Sequence, residues 1–416
     1  AQVWNKPVQS FETVDVSAFD LIIDALFGAG LARPVTGDYA EIIRKVNAGS
    51  TPVLAVDVPS GVDGLTGGVR GEAVKAHSTV TFFRLKPGHL LYPGRDLCGQ
   101  IHLVQIGIED TVLPVLNTDY FINHPALWHG FWPVADAQSH KYHRGHVLVV
   151  SGGIKQGGAA RLAALSALRA GAGLVTLASP SDALPAHAAS VQAVMVRRCD
   201  RLEDWQDLLA DKRRNVLVIG PGLGLRPQEQ PVIREMIKQG AEAGRALVLD
   251  AGALTAYAGE AEHLRACLAL RPELFGRTER MPCVITPHEG EFSRLFSTQT
   301  NITGLESKAE RALAAARFLD CVVVLKGADT VIASPQGTIL INDNAPPWLG
   351  TAGSGDVLAG LVAAFLAQGV PCAESAAMAV YAHGLAGQRG GRYLIADDLP
   401  HLLQASLQEL AAFEPR

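Results

Sequence analysis

The chain has 416 residues, of which 48% are hydrophobic and 19% are charged, and its formal net charge is −5 at pH 7. This length predicts two or three domains that each bury a core, and the composition excludes a disordered or fibrous chain. The slightly acidic balance provides no general attraction to nucleic acid or to an anionic membrane surface. The six cysteines are scattered without paired spacing, which predicts neither a zinc site nor a disulfide framework and favours a reducing cytoplasm.

Short runs rich in Val, Ile and Leu recur along the chain, and several end in Gly, Asp, Pro or Ser. The runs begin at Leu21, Pro52, Gln100, His146, Asn215, Ala246, Cys283 and Cys321. Their continuous apolar character predicts parallel strands that are covered on both faces by helices. Helices are predicted between the strands, including residues 159–170 and an amphipathic, Ala-rich helix over 357–367. The sequence therefore predicts an α/β architecture whose ligands bind beyond the carboxyl ends of the strands.

The segment 111–140 contains several Pro and Trp residues without a clear period, which predicts a domain boundary near residue 120. We expect one domain over residues 1–115 and a second over residues 120–416. The chain starts at Ala1 only a short distance before the first predicted strand, so we expect it to start inside a larger domain. His140, His143 and His146 fit no standard zinc spacing, and a basic entry to a strand is favoured over a metal site.

The most informative motif is TAGSGD at residues 351–356, a turn of small residues that leads directly into a helix. Gly353 and Gly355 allow close approach of the backbone, and the N-terminus of the helix attracts a phosphate group. Asp356 is interpreted as a general base that takes a proton from a hydroxyl attacking a phosphoryl group. The alternative is that Asp356 only stabilises the N-terminus of the helix.

Other motifs place polar groups or glycines at strand ends. Lys326 in LKGADT either meets a nucleotide phosphate or is a surface lysine. In TPHEGE, His288 is either a ligand contact or a satisfied loop histidine, while Glu291 either holds a metal-bound water or caps the next helix. GPGLG at 220–224 exposes backbone groups, and GGAARLAALSALRAGAGLV from residue 157 is compatible with ordinary packing.

Together, and in this order, these motifs resemble the ADP-dependent NAD(P)H-hydrate dehydratase family over about residues 140–403. The resemblance implies a ribokinase-like, three-layer α/β/α fold. It also implies an enzyme that uses ADP, with Mg²⁺, to phosphorylate the C6 hydroxyl of the (6S) hydrate of NADH or NADPH and then eliminates phosphate, leaving AMP. Ala159, Gly222 and His288 would contact the hydrated nucleotide, and Asp356 would touch the reacting hydroxyl. The residues implied to hold AMP are Lys326, Gly327, Ala328, Asp329, Thr330 and Gly355.

Two Gly-rich runs near the start of the chain, DALFGAGLARPVTG from Asp24 and VDVPSGVDGLTG from Val56, are each compatible with a capped βα turn. With KPGHLLYPG from Lys86 they resemble the later half of the NAD(P)H-hydrate epimerase domain, which is commonly fused ahead of the dehydratase. The resemblance implies a Rossmann-like α/β domain with a K⁺ site at Asp24 and Ser60. It implies contacts of the hydrated cofactor with Asp57 and with the loop of Gly28, Ala29, Gly30, Leu31, Ala32, Arg33 and Pro34. No counterpart of the earlier half precedes Asp20, so we expect this part of the chain to be silent as an epimerase.

Three classes of function fit these motifs: a repair dehydratase, a small-molecule kinase of the same ribokinase-like architecture, and a nucleotide-binding module without catalysis. TPHEGE and the epimerase-like runs favour the dehydratase. The expected partners are small molecules, namely hydrated nicotinamide nucleotides, ADP and AMP, with no nucleic acid and no membrane. We also expect a homo-oligomer.

Overall fold

The structure is a computed structural model that describes residues 10–116, 119–134, 140–224, 226–273 and 281–414. The described chain divides into two compact units, one through Tyr120 together with Glu306–Lys308 and one formed by the remainder. Within these ranges no helix is both long and apolar enough to cross a lipid bilayer.

The first unit contains a parallel sheet of four strands in the order β1-β2-β3-β4. The strands are β1 (Ile22–Asp24), β2 (Val53–Val56), β3 (Ser78–Phe82) and β4 (Gln100–Val104). The helices are α1 (Gly37–Ala48), α2 (Gly94–Leu97) and α3 (Leu113–Leu116). Helix α1 buries Ala40, Ile43 and Val46 in one apolar cluster with Val53 of β2, because these positions recur at helical spacing on one face.

The second unit contains a sheet of ten strands in the order β5-β14-β13-β12-β11-β10-β9-β6-β7-β8. Its strands are β5 (Tyr120–Ile122), β6 (His146–Val150), β7 (Leu174–Ser179), β8 (Met195–Arg198), β9 (Val216–Ile219), β10 (Ala246–Leu249), β11 (Cys283–Ile285), β12 (Val322–Leu325), β13 (Val331–Ala333) and β14 (Ile339–Ile341). Strands β6, β9, β10, β11 and β12 are buried at every position. Their continuous apolar sequence is thereby explained, since helices cover both faces of a parallel sheet.

Strand β13 departs from the parallel arrangement that the sequence predicts. Strand β13 runs antiparallel to both β12 and β14. The link from β13 to β14 is a tight turn in which Ser334 N donates to Thr338 O at 2.9 Å and Gly337 adopts a φ of +125°. A connection this short can join only antiparallel neighbours, because a parallel crossover needs a dozen or more residues.

The helices of the second unit flank this sheet. They are α4 (Pro125–Trp128), α5 (Gly157–Arg169), α6 (Leu184–Ser190), α7 (Leu202–Ala210), α8 (Gln230–Glu242), α9 (Gly252–Thr255), α10 (Ala261–Leu268), α11 (Glu289–Leu295), α12 (Thr300–Thr303), α13 (Lys308–Leu319), α14 (Ser354–Ala367), α15 (Cys372–Gly390) and α16 (Leu399–Ala411).

Helix α14 is not amphipathic, and the sequence prediction is wrong on this point. Every residue from Val357 to Ala367 is buried. The helix contacts α5 and α15 as well as strands β6, β9 and β10, so that none of its faces meets solvent. A helix that is apolar on all sides belongs in the interior of its domain. The turn that begins α14 is therefore anchored in the core of the second unit.

Candidate active site

The carboxyl ends of five parallel strands in the second unit lie side by side and carry most of the predicted site. Gly152 follows β6, Gly222 follows β9 and Asp250 follows β10. His288 follows β11 and Lys326 follows β12, and these two residues form a parallel β-bridge with each other. Ligands of open α/β sheets bind at this edge. The strand order therefore places motifs that are far apart in sequence along one edge of the sheet.

Asp356 lies in the first turn of α14, directly after the tight turn that leads into this helix. Gly353 is the N-cap residue and adopts a φ of +94°, a conformation that favours glycine. Ser354 Oγ donates to the Leu349 carbonyl at 2.7 Å, which fixes the turn. Among the described residues none forms a hydrogen bond with the Asp356 side chain. The carboxylate therefore does not act as a hydrogen-bonding cap, and its oxygens are available for proton transfer.

Lys326 lies within a group of carboxylates. Its Nζ is 2.8 Å from Asp250 Oδ1 and 3.9 Å from Glu291 Oε2. A Cβ atom added to Gly355 would lie only 3.2 Å from the same Nζ, so the ammonium group rests against the turn that leads into Asp356. A side chain at residue 355 would therefore press against the Lys326 ammonium. The four residues Asp250, Glu291, Lys326 and Asp356 form what we call the ionic cluster.

The electrostatics of the ionic cluster prepare Asp356 to exchange a proton near neutral pH. Burial raises the pKa of Asp356 to about 7, with further increases from the negative charges of Asp250 and Glu291, and Lys326 offsets only part of this effect. Burial alone would lower the pKa of Lys326, but Asp250 and Glu291 more than compensate, and this pKa is raised. Lys326 is therefore a stable cation beside a carboxylate that titrates in the neutral range.

His288 caps α11 and remains an exposed residue. Its Nδ1 accepts from the backbone N–H groups of Gly290 and Glu291, at 3.0 and 3.3 Å. In return, Glu291 Oε2 accepts from the backbone N–H of His288 at 2.9 Å, which completes a capping box. The other ring nitrogen, Nε2, lies 3.6 Å from Glu291 Oε1, and 54% of the side chain is exposed. The structure thus shows the capping alternative, with a largely exposed ring that a ligand can reach.

Ala159 and Gly222 lie next to each other, as a shared contact with one ligand requires. A Cβ on Gly222 would lie 3.2 Å from the Ala159 Cβ and 2.3 Å from the Gln156 carbonyl. A Cβ on Gly152 would lie 1.8 Å from the Gly222 carbonyl. Neither glycine can be enlarged without moving backbone, so the loop after β6, the loop after β9 and the N-terminus of α5 form one tightly packed surface.

Residues 326–330 form the turn between β12 and β13. The Thr330 hydroxyl donates to the Gly327 carbonyl at 2.9 Å and accepts from the Gly327 N–H at 3.2 Å. Gly327 and Ala328 are exposed, whereas Asp329 and Thr330 are buried. The turn therefore presents backbone groups of its first residues to solvent directly beside Lys326.

In the first unit, Asp24 and Ser60 form a buried pair between the ends of β1 and β2. Ser60 Oγ donates to Asp24 Oδ1 at 2.6 Å, and Ser60 N donates to Asp24 Oδ2 at 2.7 Å. The Phe27 carbonyl lies 3.2 Å from the same hydroxyl. Asp24 is 5% exposed and forms no ion pair within the described part of the chain. Leu26 N also donates to Asp24 Oδ1, at 3.4 Å, so hydrogen bonds from donors nearby compensate the burial of this carboxylate.

Asp57 lies at the end of β2 in a left-handed backbone conformation, with a φ of +71°. Its Oδ1 is 2.6 Å from Lys86 Nζ and accepts from the Thr81 hydroxyl at 3.1 Å, while its Oδ2 accepts from Ala29 N at 3.3 Å. Burial would raise the pKa of Asp57, but Lys86 and the hydrogen bonds from Ala29 and Thr81 together outweigh burial, and the pKa is lowered. Asp57 is thus an anchored carboxylate that contacts the largely exposed loop 28–34 through Ala29.

Sequence reasoning missed Asp250 and Lys86 as members of these two sites. Asp250 closes the run ALVLD, and a carboxylate at the end of a buried strand is a signal of the same kind as Asp24 and Asp57. Lys86 was part of a recognised motif, but its partner Asp57 lies 29 residues earlier in the chain. Spacing along the sequence does not reveal such pairs.

Comparisons with known proteins identify the family. The profile of the NAD(P)H-hydrate dehydratase family matches residues 147–408, more than half of the chain, and contains the whole ionic cluster. The chain belongs to the NAD(P)H-hydrate dehydratase family. A second profile, that of the YjeF-related protein N-terminus, matches residues 2–88.

Relatives with both parts in one protein accompany the two profile matches. A bifunctional NAD(P)H-hydrate repair enzyme Nnr from Thermofilum pendens is 34% identical over 409 residues, covering 95% of this chain and 74% of that protein. The protein of the same name from Moorella thermoacetica is 35% identical over 406 residues, covering 94% of this chain and 73% of the relative.

Solved structures resemble the second unit. An ADP/ATP-dependent NAD(P)H-hydrate dehydratase from Bacillus subtilis, co-crystallised with ATP and Mg²⁺, superposes with a TM-score of 0.57 at 25% identity, covering 71% of this chain and 99% of that one. A ribokinase-like superfamily protein from Enterococcus faecalis also gives 0.57 at 25% identity, covering 70% of this chain and 96% of the other. The expected ribokinase-like fold is confirmed.

Proposed function

We propose that the second unit dehydrates the (6S) hydrates of NADH and NADPH at the expense of ADP. The observation that carries this proposal is the position of Asp356, a carboxylate with a pKa of about 7 that lies at the N-terminus of α14 and beside the Lys326 ammonium. A general base is most effective when its pKa lies near the working pH. The helix N-terminus and the ammonium group favour the negative charge of the phosphoryl group that the hydroxyl attacks.

The reaction balances in two steps. Asp356 removes the proton of the C6 hydroxyl, the oxygen attacks the β-phosphorus of ADP, and the bond to the AMP oxygen breaks. The C6–O bond then breaks with loss of the C5 proton, which releases phosphate and restores the C5=C6 double bond of the reduced nicotinamide. Lys326 stabilises the charge that develops during transfer, while the turn at residues 326–330 and Gly355 hold the AMP portion.

The hydrated nucleotide is assigned to the opposite side of the ionic cluster. Ala159 and Gly222 form the close-packed surface on which it rests. The His288 side chain, 54% exposed, would contact a polar group of the substrate through Nε2. This arrangement brings the C6 hydroxyl to Asp356 from one side and the phosphates to Lys326 from the other.

Mg²⁺ belongs to the nucleotide cosubstrate in this proposal. Within the described residues no group of three His, Cys, Asp or Glu side chains is arranged to hold a metal ion. Mg²⁺ usually keeps several waters and binds through substrate phosphates rather than in an all-protein cage. The Bacillus subtilis relative was co-crystallised with ATP and Mg²⁺, which supports Mg·ADP as the form that enters the site.

The proposal is tested by mixing purified (6S) hydrate with the enzyme and following absorbance in the reduced-nicotinamide band. Parallel reactions contain ADP, ATP or no nucleotide. We expect growth of absorbance with ADP and release of AMP and phosphate. A stable phosphorylated product without this absorbance would identify a small-molecule kinase instead, and nucleotide binding without either product would identify a binding module.

From the sequence the first unit is expected to be silent, but the match of residues 2–88 to the YjeF-related profile and the bifunctional relatives favour activity. We therefore propose that the first unit epimerises the R and S hydrates with K⁺ bound at Asp24 and Ser60. The buried pair of these residues lacks a cationic side chain among the described residues, and the Phe27 carbonyl supplies a third oxygen. Asp57 and the loop 28–34 would contact the hydrate. The test supplies pure (6R) hydrate with K⁺ or without it. Conversion above the spontaneous rate that depends on K⁺ and is lost in Asp57→Ala supports this activity, whereas conversion at the spontaneous rate supports the sequence-based expectation of silence.

A further inference from the structure

We propose that Asp250 is a positioning residue for phosphoryl transfer, holding the Lys326 ammonium against the turn at Gly355. Asp250 itself touches neither substrate in this assignment. The inference rests on the proposed dehydratase function and adds a residue whose task is to fix the direction of the lysine. The alternative is that Lys326 reaches the nucleotide as a mobile surface cation, with Asp250 as a structural residue only.

Asp250 is buried, and its backbone is held in place by its surroundings. Asp250 is 2% exposed, its N–H donates to the Ile219 carbonyl at 3.2 Å, and its carbonyl accepts from Ala253 N at 3.0 Å. The next residue, Ala251, adopts a φ of +45°, which is strained for a residue with a Cβ. A Cβ on Gly220 would lie 1.7 Å from the Asp250 carbonyl. Backbone hydrogen bonds and close packing therefore fix the position of Asp250 at this strand end.

A lysine side chain needs such an anchor more than an arginine side chain does. Its charge sits at the end of a flexible four-carbon stem, whose rotamer freedom must be lost before the ammonium acts at one point. The 2.8 Å contact between Lys326 Nζ and Asp250 Oδ1 removes this freedom before any ligand binds. Glu291 Oε2, at 3.9 Å, is too distant to hydrogen-bond the ammonium and contributes only attraction.

The position in which Asp250 holds Lys326 is the one that transfer requires. Nζ lies 3.2 Å and Asp250 Oδ2 lies 3.7 Å from the point where a Cβ on Gly355 would stand. Gly355 directly precedes Asp356, so the fixed ammonium meets the phosphoryl group where the attacking hydroxyl loses its proton. The negative charge of Asp250 weakens the attraction between the ionic cluster and a phosphate, but its contact with Lys326 fixes the ammonium where transfer needs it. Its removal should therefore lower kcat without raising the KM for ADP.

The test is a double-mutant cycle on kcat and on the KM for ADP with Asp250→Asn, Lys326→Met and the double variant. We expect Asp250→Asn to lower kcat by about ten- to a hundredfold with a KM for ADP within about threefold of the wild type. Because the two residues act as a unit, the double variant should be no slower than Lys326→Met within about threefold. Additive losses, or a normal kcat in Asp250→Asn, would overturn the assignment.

Glu289→Gln is the matched control. It removes a carboxylate that follows the same edge of the sheet, but Glu289 is exposed and pairs with Arg311 at 3.0 Å, outside the ionic cluster. Its kcat should equal that of the wild type. Thermal melting shows whether each variant folds.

If Asp250→Asn does not fold, Lys326→Arg decides the question, because arginine keeps the ion pair and the charge but displaces the cationic nitrogen. We expect a lower kcat with the KM for ADP retained, and full kcat in this variant would refute a positioning role. A wild-type enzyme that fails to form reduced nicotinamide with ADP would refute the proposed function, and the assignment of Asp250 with it. A failure of the positioning idea alone is distinguishable, since the wild type then turns over normally.

Discussion

The pH dependence of the dehydratase reaction should report the ionisation of Asp356. With a pKa of about 7 in the unliganded site, about one tenth of the carboxylate is ionised at pH 6 and about nine tenths at pH 8. If Asp356 is the base, kcat/KM for the hydrate rises nearly tenfold per pH unit below pH 7 and levels off above it. An aspartate with the ordinary value of 3.8 would give a flat profile over the same range.

Substitution separates this ionisation from those of the substrates. Asp356→Asn keeps the shape of the residue but cannot accept a proton, so the plateau rate should fall by about a hundredfold or more and the pH slope should vanish. Nucleotide binding should remain, because the helix N-terminus and Lys326 are unchanged. Calorimetric titration with ADP checks this second expectation.

A terminal phosphate also ionises near pH 6, so a second variant is needed to assign the profile. Glu291→Gln removes one of the negative charges that raise the pKa of Asp356 and should therefore move the midpoint of the profile to lower pH. A midpoint that belongs to the nucleotide would not move. The reasoning is refuted if Asp356→Asn turns over at a near-normal rate, or if the profile of the wild type is flat between pH 5.5 and 8.5.

Three further outcomes are expected. Lys326→Ala should weaken binding of ADP and AMP more than binding of the hydrated nucleotide, and separate calorimetric titrations would show equal losses if the two subsites are wrongly divided. The pKa of Asp356 is raised in the folded state, so its stabilising contribution is complete below about pH 4 and is lost as pH rises through about 7. Asp356→Asn should therefore raise the free energy of unfolding at pH 8 by at most about 4 kcal/mol and leave it unchanged near pH 4. Denaturant titrations at both pH values would measure these changes. Gly152→Ala places a Cβ 1.8 Å from the Gly222 carbonyl and should lower kcat/KM for the hydrate by about tenfold or more, whereas Gly130→Ala, which meets no atom within 4 Å, should have no effect.

The strands that sequence analysis found are those with continuous apolar runs, such as Val216–Ile219 and Val322–Leu325. Strand β3 was missed because Thr79 and Thr81 interrupt its apolar character. Both are fully buried, since their hydroxyls are satisfied by the Cys98 carbonyl and by Asp57. A buried threonine looks polar in the sequence, and only the fold shows that its hydrogen bond is made.

The candidate site was only partly predictable for a similar reason. Asp356 and Lys326 lie in local motifs whose chemistry can be read from a few neighbouring residues. Asp250 lies 76 residues before Lys326, and their contact depends on which strands become neighbours in the sheet. The raised pKa of Asp356 depends on burial and on two distant carboxylates. Local sequence predicts which groups react, whereas the order of strands in the sheet decides which charged neighbours shift the pKa of those groups.

The burial of residues 357–367 of α14 affects how this enzyme should lose activity on heating. Amide protons of residues 357–367 can exchange with solvent only when the interior of the second unit opens, so they should be among the slowest to exchange in the chain. The residue that accepts the proton is attached to this slowest-exchanging segment rather than to a lid or a surface loop. Thermal inactivation of the dehydratase should therefore coincide with unfolding of the second unit and should not precede it as a separate local event.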